Sequence, residues 1–202
     1  MKTLLCCVLA ALLAACSAIT RAPTVRQTFL IEPPPLSGVA QAHPGALRVG
    51  TVAVAAPFRG KSFVFRLDEL RYETDFYDEF IVTPASMLTD QTARALAQAR
   101  PFTRVAGPGA TADADFVLDA FASALYADIR QAEKPAAEIA ITYYLTPTTG
   151  GERTPIWSHE YRRHARMRDT SAAAYAEALN TAFSEIVGEL ARDLAAVKLP
   201  AG

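Results

Sequence analysis

Two histidines in the second half of the chain are the first side chains whose chemistry could bind a metal ion. His159 and His164 lie five residues apart in a segment of strand-like composition. An odd spacing on a strand sends two side chains to opposite faces of the sheet. We therefore expect His159 to align with Trp157 and Tyr161 rather than to share a metal ion with His164.

Six acidic side chains cluster in the first half of the chain, where paired carboxylates could serve acid–base catalysis or bind calcium. They are Asp68, Glu69, Glu73, Asp75, Asp78 and Glu79. The run lacks the regular Asp/Asn spacing and the glycine of a calcium-binding loop. Arg66 and Arg71 are interleaved with it, which favours a solvated hairpin held by ion pairs.

Motifs for nucleophiles and phosphate binding are also missing from the sequence. Ser62 and Ser158 lack the flanking glycines of a hydrolase nucleophile elbow. Gly107-Pro108-Gly109 lacks the strand and lysine of a phosphate-binding loop. The formal charge of −1 gives no indication of a nucleic-acid partner. We therefore expect no catalytic residues, no metal site and no cofactor, and we do not expect an enzyme.

Cys16 is the residue for which the sequence indicates a chemical modification. Residues 1–15 combine a basic Lys2, an apolar run and small residues before the cysteine, which is the pattern of an export signal. The apolar run is shorter than the about 20 residues that cross a bilayer. Leu13-Ala14-Ala15-Cys16 resembles the bacterial lipobox, which predicts cleavage before Cys16, a diacylglycerol on its sulfur and an N-acyl chain on its amine. An ordinary secretory signal followed by a coincidental cysteine is the alternative.

Acylation of Cys16 would place the protein in the cell envelope. Two or three acyl chains anchor a protein stably, whereas a single chain binds a membrane only marginally. Ser17 stands where an aspartate would resemble an inner-membrane retention signal, so we expect the periplasmic face of the outer membrane rather than the inner membrane. Cys6 and Cys7 fall in the expected signal peptide, so no disulfide is expected in the mature chain.

The chain is expected to hold one folded domain behind a tether. Residues 1–15 are assigned to the signal peptide. Residues 16–46 are assigned to the lipidated cysteine, a tether and a Pro-rich linker, with a short strand at Phe29-Leu30-Ile31. Residues 47–200 are assigned to a single domain, whose length is sufficient to bury its own core.

Helical and alternating apolar patterns predict the class of this domain. Helices are expected at 84–100, capped by Thr83, and from Asp169–Ser171 to about Val197. Strands are expected at 47–54, 63–65, 70–72, 80–82 and 104–106, and three longer ones at 115–130, 136–146 and 156–167 read as an antiparallel meander with a turn at Gly150-Gly151. The resulting fold class is α+β, an antiparallel sheet with two main helices packed on one face as a two-layer sandwich.

Aromatic side chains are concentrated in one short segment with charges between them. Seven of them fall within 23 residues: Phe58, Phe63, Phe65, Tyr72, Phe76, Tyr77 and Phe80. Aromatic and arginine side chains are enriched at protein interfaces. We therefore expect a partner-binding surface, with the second half of the core as the alternative for these rings. The candidate partner-binding residues are Arg66, Tyr72, Phe76, Tyr77 and Phe80.

The order of these features resembles the ABC-type transport auxiliary lipoprotein family, the PqiC-like group. The features are the lipidated Cys16 and short tether, the strands at 29–31 and 47–57, Phe63-Val64-Phe65-Arg66, the segment 72–80 before Thr83-Pro84, Ala114-Asp115-Phe116-Val117-Leu118 and the last helix. Many relatives carry a tryptophan just before the proline of the first helix. This chain instead has Phe80-Ile81-Val82-Thr83 there.

The resemblance implies a function in lipid transport between membranes. The protein would be a lipid-anchored, non-enzymatic auxiliary subunit of an ABC/MCE-type system, docking on the periplasmic MCE-family substrate-binding protein that works with a permease and an ATPase. One alternative is a lipid-binding carrier or assembly-plug lipoprotein, which would need an apolar cavity between helices and sheet. The other is a structural envelope lipoprotein that binds peptidoglycan or a secretion complex.

Overall fold

An eight-stranded sheet carries two long helices, which confirms the α+β class. The computed structural model describes residues 26–110, 113–149 and 154–199. The expected signal peptide, Cys16 and the Gly150-Gly151 turn lie outside these ranges. The strands are β1 (Gln27–Phe29), β2 (His43–Val54), β3 (Ser62–Arg66), β4 (Tyr72–Phe80), β5 (Phe102–Ala106), β6 (Phe116–Asp128), β7 (Ala136–Pro147) and β8 (Trp157–Arg166). The helices are α1 (Pro84–Ala99) and α2 (Ala172–Ala196), and a short 3₁₀ turn covers Ala56–Phe58.

Helix α1 begins and ends at residues suited to those positions. Proline is tolerated at the first helical position, and the Thr83 hydroxyl before it accepts a hydrogen bond from the Ser86 N–H. Arg100 ends the helix in the left-handed conformation, with φ of 54°, and its N–H bonds the Leu96 carbonyl. The expected helix and its cap are both confirmed.

Helix α2 packs against β7, β8 and α1. Ser171 caps it by accepting a hydrogen bond from the Ala174 N–H. The predicted apolar stripe is the buried face of the helix, and it includes Tyr175, Leu179, Phe183, Ile186, Leu190 and Leu194. In the described part of the chain, no helix has both the length and the apolar character that crossing a bilayer requires.

Strand β6 lies at the centre of the sheet. Along one edge it pairs with the antiparallel β7, which in turn pairs with β8, so the expected meander is confirmed. Its other edge is shared by two parallel strands. Residues Leu47–Val54 of β2 pair with the first half of β6, and Phe65 and Arg66 of β3 pair with its end. Beyond these strands lie β5, next to β2, and β4 and β1, next to β3.

The sheet is therefore mixed, which corrects the expectation of an antiparallel sheet. Strands β2, β3, β5 and β6 all run in the same direction, and β1 is parallel to β4. Antiparallel neighbours such as β6 and β7 are joined by short turns that leave a local signal in the sequence. Parallel neighbours are joined by long crossovers, here including α1, and leave no such signal.

The Pro-rich segment before β2 belongs to the folded domain, which corrects the boundary expected at residue 47. Ile31 is buried in the core. Farther along, the Leu36 N–H donates to Gln98 Oε1 at 3.1 Å and the Val39 N–H donates to the Ala99 carbonyl at 2.8 Å. The segment therefore lies along α1. Its apolar residues are spaced irregularly between prolines, so no periodicity reveals this contact in the sequence.

Aromatic rings from the sheet and from α2 meet at the β3 end of the core. Phe63 lies 4.6 Å from Phe80 and 5.0 Å from Tyr175 of α2, measured between ring centroids. Phe29 of β1 lies 5.2 Å from Phe63. These contacts fix the hairpin β3–β4 and the edge strand β1 to the helical layer.

We expect Ile31→Ala to destabilise the protein, because it removes buried methyl groups from the segment first assigned to a linker. The loss should be about 2–5 kcal/mol in the free energy of unfolding. The matched control is Leu30→Ala, since Leu30 is the neighbouring residue and is exposed. Its effect should stay within about 0.5 kcal/mol. Denaturant unfolding of the detergent-solubilised protein measures both, and equal losses would contradict the packing described above.

Candidate functional site

Strand β4 contains a bulge that lifts part of the acidic and aromatic segment out of the sheet. In the pairing with β3, Ser62 lies opposite Glu79 and Val64 lies opposite Thr74. Phe63 alone therefore faces residues 75–78 of β4. Bulges of this kind re-aim side chains and interrupt the ladder of backbone hydrogen bonds.

The side chain of Asp75 organises the bulge. Its Oδ1 accepts hydrogen bonds from the backbone N–H of Tyr77 at 2.7 Å and of Asp78 at 2.9 Å. Aspartate commonly stabilises tight turns in this way. Phe76 and Tyr77 project from the turn with ring centroids 5.1 Å apart and an angle of 81° between the rings. We call these two residues the aromatic projection.

The aromatic projection is exposed to a degree that is unusual for large apolar rings. Phe76 keeps 78% of its surface exposed and Tyr77 keeps 43%. Because the rings contact each other edge to face and the turn beneath them is hydrogen-bonded, the projection is held in one shape. It can bind a partner without first paying a large ordering entropy.

Two carboxylates lie close together beneath the projection. Burial, and then the negative charge of Asp75, raise the pKa of the Asp78 carboxyl. Asp75 itself is used as the acceptor for the turn. The base of the projection is therefore acidic, while its tip is aromatic.

Arg66 and Tyr72, two other predicted partner-binding residues, lie in a separate cluster. The Arg66 guanidinium donates to the backbone carbonyls of Asp68 at 3.3 Å and Glu69 at 2.9 Å, so it holds the turn between β3 and β4. It also lies 5.5 Å from the centroid of the Tyr72 ring, which packs edge to face on Tyr126 of β6. Both side chains thus have structural contacts within the sheet.

Phe80 is not part of an exposed surface, which corrects its assignment to a partner interface. It is only 2% exposed and packs on Phe63 in the core. The alternation of faces along β4 would place Phe76 and Phe80 on the same side. The bulge between them breaks this alternation and separates an exposed ring from a buried one.

The two histidines lie on opposite faces of β8, as predicted. His159 lies between Trp157 and Tyr161, with ring centroids 6.2 and 4.6 Å away. His164 contacts Glu138 of β7 through Nδ1. Within residues 26–110, 113–149 and 154–199, no group of three or more His, Cys, Asp or Glu side chains has an arrangement suited to a metal ion.

Ion pairs are distributed along the acidic hairpin, which confirms the interpretation of the acidic run as an ion-paired hairpin. Glu69 pairs with Arg66 at 3.4 Å and with Arg130 at 2.7 Å. At the other end, Glu79 lies 3.6 Å from Lys61 and 3.9 Å from Arg26. Each of these pairs has at least one well-exposed partner, Glu69, Lys61 or Arg26, so each contributes little to stability.

A groove that the sequence analysis missed lies between the Pro-rich segment and α2. It has a volume of about 810 Å³ and is lined by residues 35–41 and by Gly188, Ala191, Arg192, Ala195 and Ala196. It is not the cavity between helices and sheet that the carrier alternative requires, because its lining residues belong to the Pro-rich segment and α2. The signal for it in the sequence is the row of small residues at helical spacing near the end of α2.

Comparison with known proteins identifies the fold. No family model matches the sequence, and no curated protein matches it. The crystal structure of protein XCC0632 from Xanthomonas campestris, of the family described as DUF330, superposes with a TM-score of 0.71 at 18% identity, over 81% of this chain and 92% of that chain. An uncharacterised protein superposes with a TM-score of 0.65 at 12% identity, over 84% of this chain and 99% of that chain. The two-layer α+β fold of this chain is therefore shared with a DUF330 protein.

We expect Asp75→Asn to lower the pKa of Asp78, because the amide keeps an acceptor oxygen for the turn but removes the neighbouring charge. A carboxyl whose pKa is raised on folding reduces stability as pH rises from its unfolded to its folded pKa. The pH range between the unfolded-state and folded-state pKa of Asp78, over which stability falls, should therefore become narrower in the variant. Titration of the Asp78 carboxyl carbon by NMR measures the shift, and an unchanged pKa would show that burial alone sets it.

Proposed function

We propose that this protein is a lipid-anchored, non-enzymatic auxiliary subunit of an ABC/MCE-type intermembrane lipid transport system. Anchored through Cys16 at the periplasmic face of the outer membrane, it docks on the periplasmic MCE-family protein that works with a permease and an ATPase. The observation that carries the proposal is the aromatic projection, a preorganised pair of exposed rings on the bulge of β4.

The physical chemistry of the projection supports a binding role. A large aromatic ring that is fully buried on association contributes roughly 1.5–3 kcal/mol relative to an exposed one. Two adjacent rings on a fixed turn can therefore form the centre of an interface. The charged side chains around them, including Asp78 and Glu79, would form its polar rim.

The remaining support comes from the sequence and the fold. The lipobox-like segment and the order of elements resemble the auxiliary lipoproteins, and the fold is shared with a DUF330 protein at a TM-score of 0.71. Two buried tyrosines of the core have structural hydrogen bonds, Tyr143 with Thr92 and Tyr161 with Asp193.

We expect the double variant Phe76→Ala/Tyr77→Ala to weaken binding to the MCE-family protein at least about tenfold, since it removes the two exposed rings. The matched control is Phe121→Ala, which removes a ring that is also exposed but lies on β6. Binding of purified, detergent-solubilised proteins measures the affinity, and thermal unfolding checks that the fold is kept. Unchanged affinity of the double variant, or an equal loss in the Phe121 variant, would contradict the assignment of the docking site.

A lipid-binding carrier is the second candidate function, and the groove beside α2 favours it. A volume of about 810 Å³ lies within the range of small-molecule sites. Leu36 and Val39 line the wall formed by the Pro-rich segment, and the exposed Arg192 lies on the opposite wall, which α2 forms. A guanidinium on the wall of a largely apolar groove suits the phosphate of a lipid whose acyl chain occupies the groove.

If the protein is a lipid-binding carrier, Ala195→Trp should reduce the amount of lipid that copurifies with it, because the indole fills the groove. Thr181→Trp is the matched control, since Thr181 is an exposed residue of α2 outside the groove. Mass spectrometry of extracted lipid, expressed per mole of protein, compares the two. Equal amounts in both variants would eliminate the groove as a lipid site.

A further inference from the structure

Two exposed aliphatic side chains lie next to each other at the edge of the sheet, just beyond β1. Phe29 and Phe80 are paired in the parallel ladder of β1 and β4, where Phe80 is buried in the core and Phe29 packs against it. The ladder continues with a hydrogen bond from the Ile81 N–H to the Phe29 carbonyl at 2.9 Å. Leu30 and Ile81 come next in register and point to the opposite side, where they are 50% and 53% exposed.

Val82 follows Ile81 in the chain and is also exposed, to 40%. We call Leu30, Ile81 and Val82 the edge patch. An exposed apolar surface rimmed by polar side chains can mark a site of interaction with a protein or a membrane. The patch lies beyond the end of β4, whereas the aromatic projection interrupts the middle of that strand, so the two surfaces are distinct.

Cationic side chains flank the edge patch. The Lys61 ammonium group donates to the Ile81 carbonyl at 3.2 Å. Arg26 immediately precedes β1, and its side chain is 63% exposed. Glu79 neutralises part of this charge through its contacts with both residues. Aliphatic side chains bordered by lysine and arginine are typical of segments that lie at the surface of a phospholipid bilayer.

The position of the edge patch relative to the predicted anchor indicates which surface covers it. The segment from Cys16 to Arg26 can extend by at most about 35 Å. Strand β1 follows it at once, and Leu30 follows β1. The edge patch is therefore close to the point at which the tether joins the domain, so an anchored domain meets the bilayer first on this side.

We infer that the edge patch rests on the phospholipid surface to which Cys16 is anchored. This inference depends on the lipid anchor of the proposed function. The patch is too small to bind a membrane by itself, but the anchor keeps it at a high effective concentration at the lipid surface. A weak contact then suffices to orient the domain, with Lys61 and Arg26 near the phosphates and the three aliphatic side chains among the upper parts of the acyl chains.

Site-specific fluorescence of the anchored protein tests the inference. Cys16 is expected to be the single cysteine of the mature chain and its sulfur to be blocked by lipid, so Ile81→Cys introduces one free thiol for a fluorophore. The matched control is Leu70→Cys, because Leu70 is 95% exposed and lies in the turn at the other end of the same hairpin. Both acylated proteins are placed in vesicles of phosphatidylethanolamine and phosphatidylglycerol that contain a lipid with a nitroxide near its headgroup.

The inference predicts loss of fluorescence at position 81 as the nitroxide lipid is increased, and no loss at position 70. A Val82→Cys protein should behave as the Ile81 variant does, which guards against a folding defect in either one. The inference is overturned if the label at position 81 of the anchored protein is not quenched. A blue-shifted emission without quenching would show that another protein or a second copy covers the patch instead. If Cys16→Ala fractionates with membranes as the wild type does, the lipid anchor is wrong, and both this inference and the proposed function are overturned.

Discussion

The long central strand β6 imposes the constraint on which the other elements depend, because its backbone donors and acceptors must be paired along both edges. Strand β7 covers one edge along its whole length. The other edge is covered in two pieces, since the chain leaves β2, makes the 3₁₀ turn Ala56–Phe58 and returns to the same edge as β3. The turn also places Phe58 against Tyr126 of β6, with ring centroids 5.7 Å apart. Pairing of β6 thus fixes where the hairpin β3–β4 can lie.

The two ends of β4 in that hairpin have different packing partners, and the bulge in β4 accommodates both. Phe80 packs on Phe63 in the core. Residues 75–78 of β4, which precede it, are too many to pair one to one with the short strand β3. The extra residues form a turn on the Asp75 carboxylate, which satisfies the backbone N–H groups that the ladder no longer pairs. The outermost strand, β1, is short and bordered by charged side chains, which protects the sheet edge from pairing with other chains.

Those parts of the structure that depend on local pattern could be predicted from the sequence. The caps of both helices, the apolar stripe of α2 and the meander of β6, β7 and β8 each leave a periodic or positional signal. The parallel pairing of β2 with β5 and β6 could not be predicted, because it joins distant segments. Among the candidate site residues, the exposure of Phe76 and the burial of Phe80 could not be separated, because a bulge shifts the alternation of faces without changing the composition.

The arrangement of surfaces along β4 links the two proposals about function. The aromatic projection and the edge patch are separated along the chain by Asp78, Glu79 and Phe80, which pair with β1. At about 3.3 Å per residue, these three residues extend over roughly 10 Å. A partner docked on Phe76 and Tyr77 would therefore contact the domain close to the lipid surface on which Leu30 and Ile81 rest. Because the intervening residues are tied into the sheet, orientation of the domain on the membrane would also set the direction from which a partner approaches.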